Sequence, residues 1–89
     1  GVEKAWHAAR EGKRSPLAYH MASRMLTPDA LAEAVGMWSL RVRWHLRPGP
    51  FARLPDAVIE RYARALALPA AELKALPEEP ARLCAAEEA

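Results

Sequence analysis

Eighty-nine residues, 52% hydrophobic and 27% charged, are enough for one small domain with one core and too apolar for a disordered chain. No apolar run approaches the roughly 18 residues of a membrane span, and the first residues lack a secretory-signal pattern, so cytoplasmic residence is the expectation. A single cysteine, Cys84, excludes an internal disulfide, and the formal net charge of +2 hides an uneven distribution.

The predicted elements follow a proline punctuation. Val2 to Glu11 is a helix with Val2, Ala5, Trp6 and Ala9 on one side. Trp6 packs this helix onto the rest of the chain, with a dimer contact as the rival reading. Gly12 to Arg14 breaks it. Ser15-Pro16 and Thr27-Pro28 each start a helix, with Ser15 and Thr27 as N-caps and Pro at the first helical position, whose N–H needs no intrahelical acceptor. Pro16 to Met25 aligns Leu17, Met21 and Met25. Pro28 to Val35 turns Leu31, Ala34 and Val35 inward and is closed by Gly36.

The stretch "MWSLRVRWHLRPGPF" then predicts a helix from about Ser39 to Arg47, stopped by a Pro48-Gly49-Pro50 loop. Pro55 to Leu66 carries Val58, Ile59, Tyr62 and Leu66; Pro69 to Leu76 supplies Leu73 and Leu76. The tail "PEEPARLCAAEEA" is acidic and proline-broken, either frayed or holding a short helix from Ala81. Short helices on tight turns are unstable singly and must share one core. Its expected members are Leu17, Met21, Leu31, Val35, Val42, Leu46, Val58, Ile59, Tyr62, Leu66 and Leu73. The division is an N-terminal helical extension (1–15), a helical domain (16–76) and an acidic tail (77–89).

Charge is concentrated rather than spread. Residues 1–76 carry twelve basic and seven acidic groups, and Trp38 to Leu54 carries four arginines and no acid. Such a patch steers anionic partners, although a solvated basic face gives the same count. The chain has no Asn or Gln, ten Arg against three Lys, and eight Pro. That fits a thermophile short of labile amides, and equally a GC-rich codon bias.

"LTPDALAEAVGMWSLRVRWHLRPG" followed by "PDAVIERYARALALPAAEL" resembles the Cro/phage-repressor (XRE-like) helix-turn-helix family over about residues 16–76. The carriers are Leu26-Thr27 at the first motif helix, Leu31-Ala32, Gly36 in the turn, Val42 in the second motif helix, and "YARALAL" with Glu72-Leu73 in the closing helices. Pro28 stands where the family often has Gln, and Gly49 lies one residue later than the usual glycine. The resemblance implies an all-α, lambda-repressor-like five-helix bundle containing a helix-turn-helix, here with an extra N-terminal helix. It also implies a DNA-binding transcriptional regulator (a repressor in the family's pattern), nucleoid-associated, whose second motif helix enters the major groove of double-stranded DNA.

On a wheel of about 100° per residue, Trp38, Val42 and Leu46 share one face, with His45 at its edge. Leu40, Arg43, Trp44 and Arg47 share the other, flanked by Ser39 and Arg41. The first face is expected in the core and the second against the partner, with Trp44 open to three readings: covering the core, touching DNA or binding protein. Ser39, Leu40, Arg41 and Trp44 are the candidates for base contacts. Thr27, Arg43, Arg47 and Arg53 are the candidates for phosphate contacts. Arginine takes guanine O6 and N7 or a phosphate, and apolar groups meet thymine methyls.

A protein-interaction module on the same fold is the alternative, through Leu40 and Trp44, serving a transcription complex or a phage or toxin–antitoxin partner. A nonspecific architectural DNA binder is a third reading, and a homodimer accompanies palindromic operators. Catalysis is not expected. The glutamate pairs 78-79 and 87-88 sit in the tail, and His7, His20 and His45 lack metal-ligand spacing. Cys84 has no CxxC neighbour, and no glycine-rich phosphate loop exists, so no cofactor and no metal are predicted.

Overall fold

A computed structural model describes residues 1–80, all of it helix and turn: α1 (Val2–Arg10), α2 (Pro16–Ser23), α3 (Pro28–Val35), α4 (Ser39–His45), α5 (Pro48–Ala52), α6 (Asp56–Leu66) and α7 (Ala70–Leu73). The expected tail helix from Ala81 lies outside the described residues. No helix among the described residues is long and apolar enough to cross a membrane.

The helix count departs from expectation at one place. Pro48-Gly49-Pro50 was expected to be a loop and instead opens α5. The first-turn N–H groups of a helix have no intrahelical acceptor, so prolines there forfeit no bond. α5 turns Phe51 into the core, a residue absent from the expected set. Arg47 becomes the residue that precedes this helix rather than the end of α4, which closes at His45.

One core gathers Leu17, Met21, Leu31, Val35, Val42, Leu46, Ile59, Tyr62, Leu66 and Leu73, all predicted, with Met37, Phe51 and three alanines, Ala18, Ala32 and Ala63, added. Val58 packs against it half-buried. Two inward assignments on α2 and α3 fail. Ala34 is exposed, and Met25 is 79% exposed because α2 ends at Ser23 and Met25 takes a positive φ of 57° in the turn, off the helical phase.

A second, smaller cluster joins α1 to α2 and the last turn. Val2, Trp6 and Tyr19 are buried together with Ala22 and Leu76 against them. The Trp6 indole N–H donates to the Pro77 carbonyl at 2.9 Å, and the Arg10 guanidinium lies 5.0 Å over the ring. Trp6 thus packs the first helix onto the body of the protein, as the sequence predicts.

Among the described residues every buried side-chain nitrogen and oxygen has a hydrogen-bond partner. Ser15 holds the expected N-cap position of α2, but its hydroxyl does not accept from the helix. Its hydroxyl donates instead to the His45 carbonyl at 2.8 Å, and its amide donates to the Leu46 carbonyl at 2.7 Å. The end of α4 is thereby tied to the start of α2. Two arginines serve the fold: Arg24 donates to the Leu66 carbonyl, and Arg61 donates to the Val35 carbonyl at 2.6 Å. Each side chain supplies a cation and donors to the carbonyl end of a helix.

Candidate nucleic-acid interface

The site is made by α3, a tight turn and α4. Thr27 caps α3: its Oγ1 accepts from the Ala30 amide at 3.1 Å. Gly36 ends α3 with φ +71°, a left-handed conformation that costs a side-chain-bearing residue about 1–2 kcal/mol. The amides of Gly36 and Met37 then both donate to the Ala32 carbonyl. This closure re-aims the chain so that α4 packs across α3.

Val42, His45 and Leu46 anchor α4 from within. His45 Nδ1 and the Tyr62 hydroxyl share a hydrogen bond of 2.6 Å between rings set at 90°. Burial lowers the His45 pKa below its ordinary value, helped by the charge of Arg41. Burial likewise pushes the Tyr62 hydroxyl up to about 12, against the pull of Arg41 and Arg61. The pair is therefore a neutral imidazole and a neutral phenol at physiological pH, with one ring donating and the other accepting.

Trp38 overturns its expected place. It was assigned to the core one turn before Val42, yet it is 84% exposed. The wheel fails because Trp38 is not helical: it precedes α4 in an extended conformation, φ −72° and ψ 142°. Met37 occupies the inward position instead and joins the core.

The outward side is a shallow, open hollow of about 680 Å³ lined by Trp38, Leu40, Arg41, Arg43, Trp44 and Arg47. Leu40 is 79% and Trp44 55% exposed, and the Arg47 guanidinium lies 5.2 Å over the Trp44 ring. Five of the eight predicted contact residues thus come together: Leu40, Arg41, Trp44, Arg43 and Arg47. Thr27, Ser39 and Arg53 do not line the hollow. Thr27 is exposed at the start of α3, its hydroxyl accepting from Ala30 and still able to donate. Arg53 is exposed at the end of α5.

An acid from the neighbouring helix, not foreseen from the sequence, borders the hollow without lining it. The Asp29 carboxylate of α3 lies 3.5 Å from the Arg43 guanidinium, both well exposed. A hydrogen bond from the Ser39 hydroxyl, with the Arg43 charge beside it, lowers the Asp29 pKa. Along α4 there is no acid; in space the Asp29 carboxylate stands beside Arg43. The Thr27-Pro28-Asp29 helix start was the available signal, since acids favour the first turn.

No protein-family model, no curated protein and no solved structure matches the chain.

Proposed function

We propose that this protein is a DNA-binding transcriptional regulator of lambda-repressor-like helix-turn-helix type, with α3 and α4 as the motif and α4 in the major groove. In this reading α2, α3, α4, α6 and α7 are the five-helix scaffold, α1 is the extra helix, and α5 is an added turn between α4 and α6. The observation that carries the reading is the division of α4. Val42, His45 and Leu46 hold it in the core, while Arg41 and Arg43 stand on its free side, with Arg47 just beyond its end, beside exposed aromatic and aliphatic groups.

Leu40, Arg41 and Trp44 face base edges, joined by Trp38. Ser39 stands at the start of α4 beside the Asp29 carboxylate, which competes with a base for its hydroxyl. Arg43, Arg47 and Arg53 meet phosphates, as does Thr27 with the amides at the start of α3. Selection from random duplex DNA, read by sequencing, tests the reading. An enriched motif supports it, and paired half-sites about 34 Å apart add a two-fold dimer. Equal affinity for all duplexes leaves an architectural binder instead. Changing Arg43 and Arg47 to Ala should weaken binding to every duplex and flatten the salt dependence by about two logarithmic units per decade of salt, one for each lost phosphate contact. Unchanged salt dependence contradicts those two roles.

The exposure of Leu40 and Trp44 favours a second reading, a protein-interaction module on the same fold. Capture of a defined protein partner that survives nuclease and is lost with Trp44→Ala supports it. Tight operator binding without such a partner removes it.

A further inference from the structure

Trp38, Leu40 and Trp44 are large apolar side chains standing in the open on one face, 84%, 79% and 55% exposed. The fold does not use them: none belongs to either buried cluster. The hollow they line also holds Arg41, Arg43 and Arg47, of which Arg43 is paired with Asp29 and Arg41 and Arg47 have no acid paired with them among the described residues. A complementary partner must therefore present apolar groups and negative charge within one side chain's reach of each other.

Duplex DNA presents both in its major groove. Phosphates border the groove, and the C5-methyl of thymine is the apolar group on its floor. The other base edges there are hydrogen-bond donors and acceptors. Seating Leu40 or the Trp38 ring over them would strip water from polar groups and return no hydrogen bond. The chain holds no Asn or Gln, so amide reading of adenine is absent as well. Trp44 is already covered on one side by Arg47, which leaves Trp38 and Leu40 as the most open apolar surface.

We infer that the face formed by Trp38, Leu40 and Trp44 is a thymine-methyl receptor, so that the protein selects duplex sites carrying thymines where this face lands. The inference rests on the DNA-binding reading above. It names the chemical group recognised rather than the polymer.

The experiment compares the duplex enriched by selection with the same duplex carrying deoxyuridine at each thymine, which removes the methyl and keeps base pairing. The wild-type protein should bind the uracil duplex about fourfold more weakly for each methyl buried, a tenfold or greater loss for two or three. Leu40→Ser and Trp38→Ser, at exposed positions and checked for helicity, should each reduce that ratio towards one. Equal wild-type affinity for the two duplexes overturns the inference while leaving DNA binding intact; it is also the outcome expected if the hollow serves a protein. A thymine preference unchanged in both variants places methyl recognition elsewhere and overturns the assignment. Absence of binding to any duplex overturns the DNA reading and this inference with it.

Discussion

Along α4, His45 is buried while Trp44, its neighbour in sequence, is more than half exposed. A hydropathy rule would place them the other way round. Inside, polarity is tolerated because each polar group has a partner: Tyr62 for the His45 ring, Ser15 for the His45 carbonyl. Outside, Trp38, Leu40 and Trp44 have the arginines of the hollow around them and no apolar cluster. The inner face satisfies the fold, and the outer face takes no part in it; in the proposed reading that face is left to a partner. The contrast predicts that the two faces separate cleanly under mutation, stability responding to one and binding to the other.

The largest effect should come from truncating leucines on opposite sides. Leu31 is fully buried, and Leu31→Ala should cost about 2–5 kcal/mol of unfolding free energy. Leu40→Ala should change stability by no more than about 0.5 kcal/mol. Denaturant unfolding of both variants checks this; comparable losses would dissolve the distinction between the faces.

Next is the polar pair beneath α4. Tyr62→Phe keeps the ring and leaves the His45 nitrogen without its partner, at a cost of about 1–3 kcal/mol. A neutral outcome would show that this bond does not anchor the helix.

The smallest effect is titration. Burial lowers the pKa of His45, and also that of His20, whose Nε2 lies 2.8 Å from the Ala75 carbonyl. Both are lowered from 6.5, so between the folded and unfolded values the unfolded chain binds more protons. The two histidines therefore contribute fully above pH 6.5, and stability declines as pH falls below 6.5 towards their folded values. Tyr62, raised from 10.0 to about 12, acts at the other end. Its contribution is complete below pH 10 and lost as pH rises towards 12. Thermal unfolding from pH 8 to 5 checks the acid limb, and a flat profile there would mean that both imidazoles charge as easily folded as unfolded.

Much of this architecture is legible in the sequence, because proline, capping threonine and Gly36 mark helix ends and the 3.6-residue period marks the core. The start of α3 at Pro28 and the inward set Leu31, Val35, Val42, Ile59, Tyr62, Leu66 and Leu73 need nothing beyond local chemistry. What escapes is non-local or off-period. Trp38 escapes the helical period because it precedes the first residue of α4 in an extended conformation. α5 escapes because its two prolines have the chemistry of a stop, yet both sit in a first turn, where no N–H is needed. Asp29 beside Arg43, and Ser15 bonded to α4, depend on which helices pack together, and no spacing rule within one segment shows that. At the site, the exposed pairing of Leu40 and Trp44 with Arg43 and Arg47 was readable, while the full apolar face was not.

The three tryptophans offer the most direct measurement of the central claim. Trp6 is buried and bonded to Pro77, whereas Trp38 and Trp44 stand on the outer face. Their indole N–H resonances can be followed by NMR while duplex DNA bearing the selected sequence is added. The account predicts that Trp38 and Trp44 shift together with the α4 amides while Trp6 stays in place. A response at Trp6 with Trp38 and Trp44 silent, or no response at any of the three at saturating DNA, would contradict it.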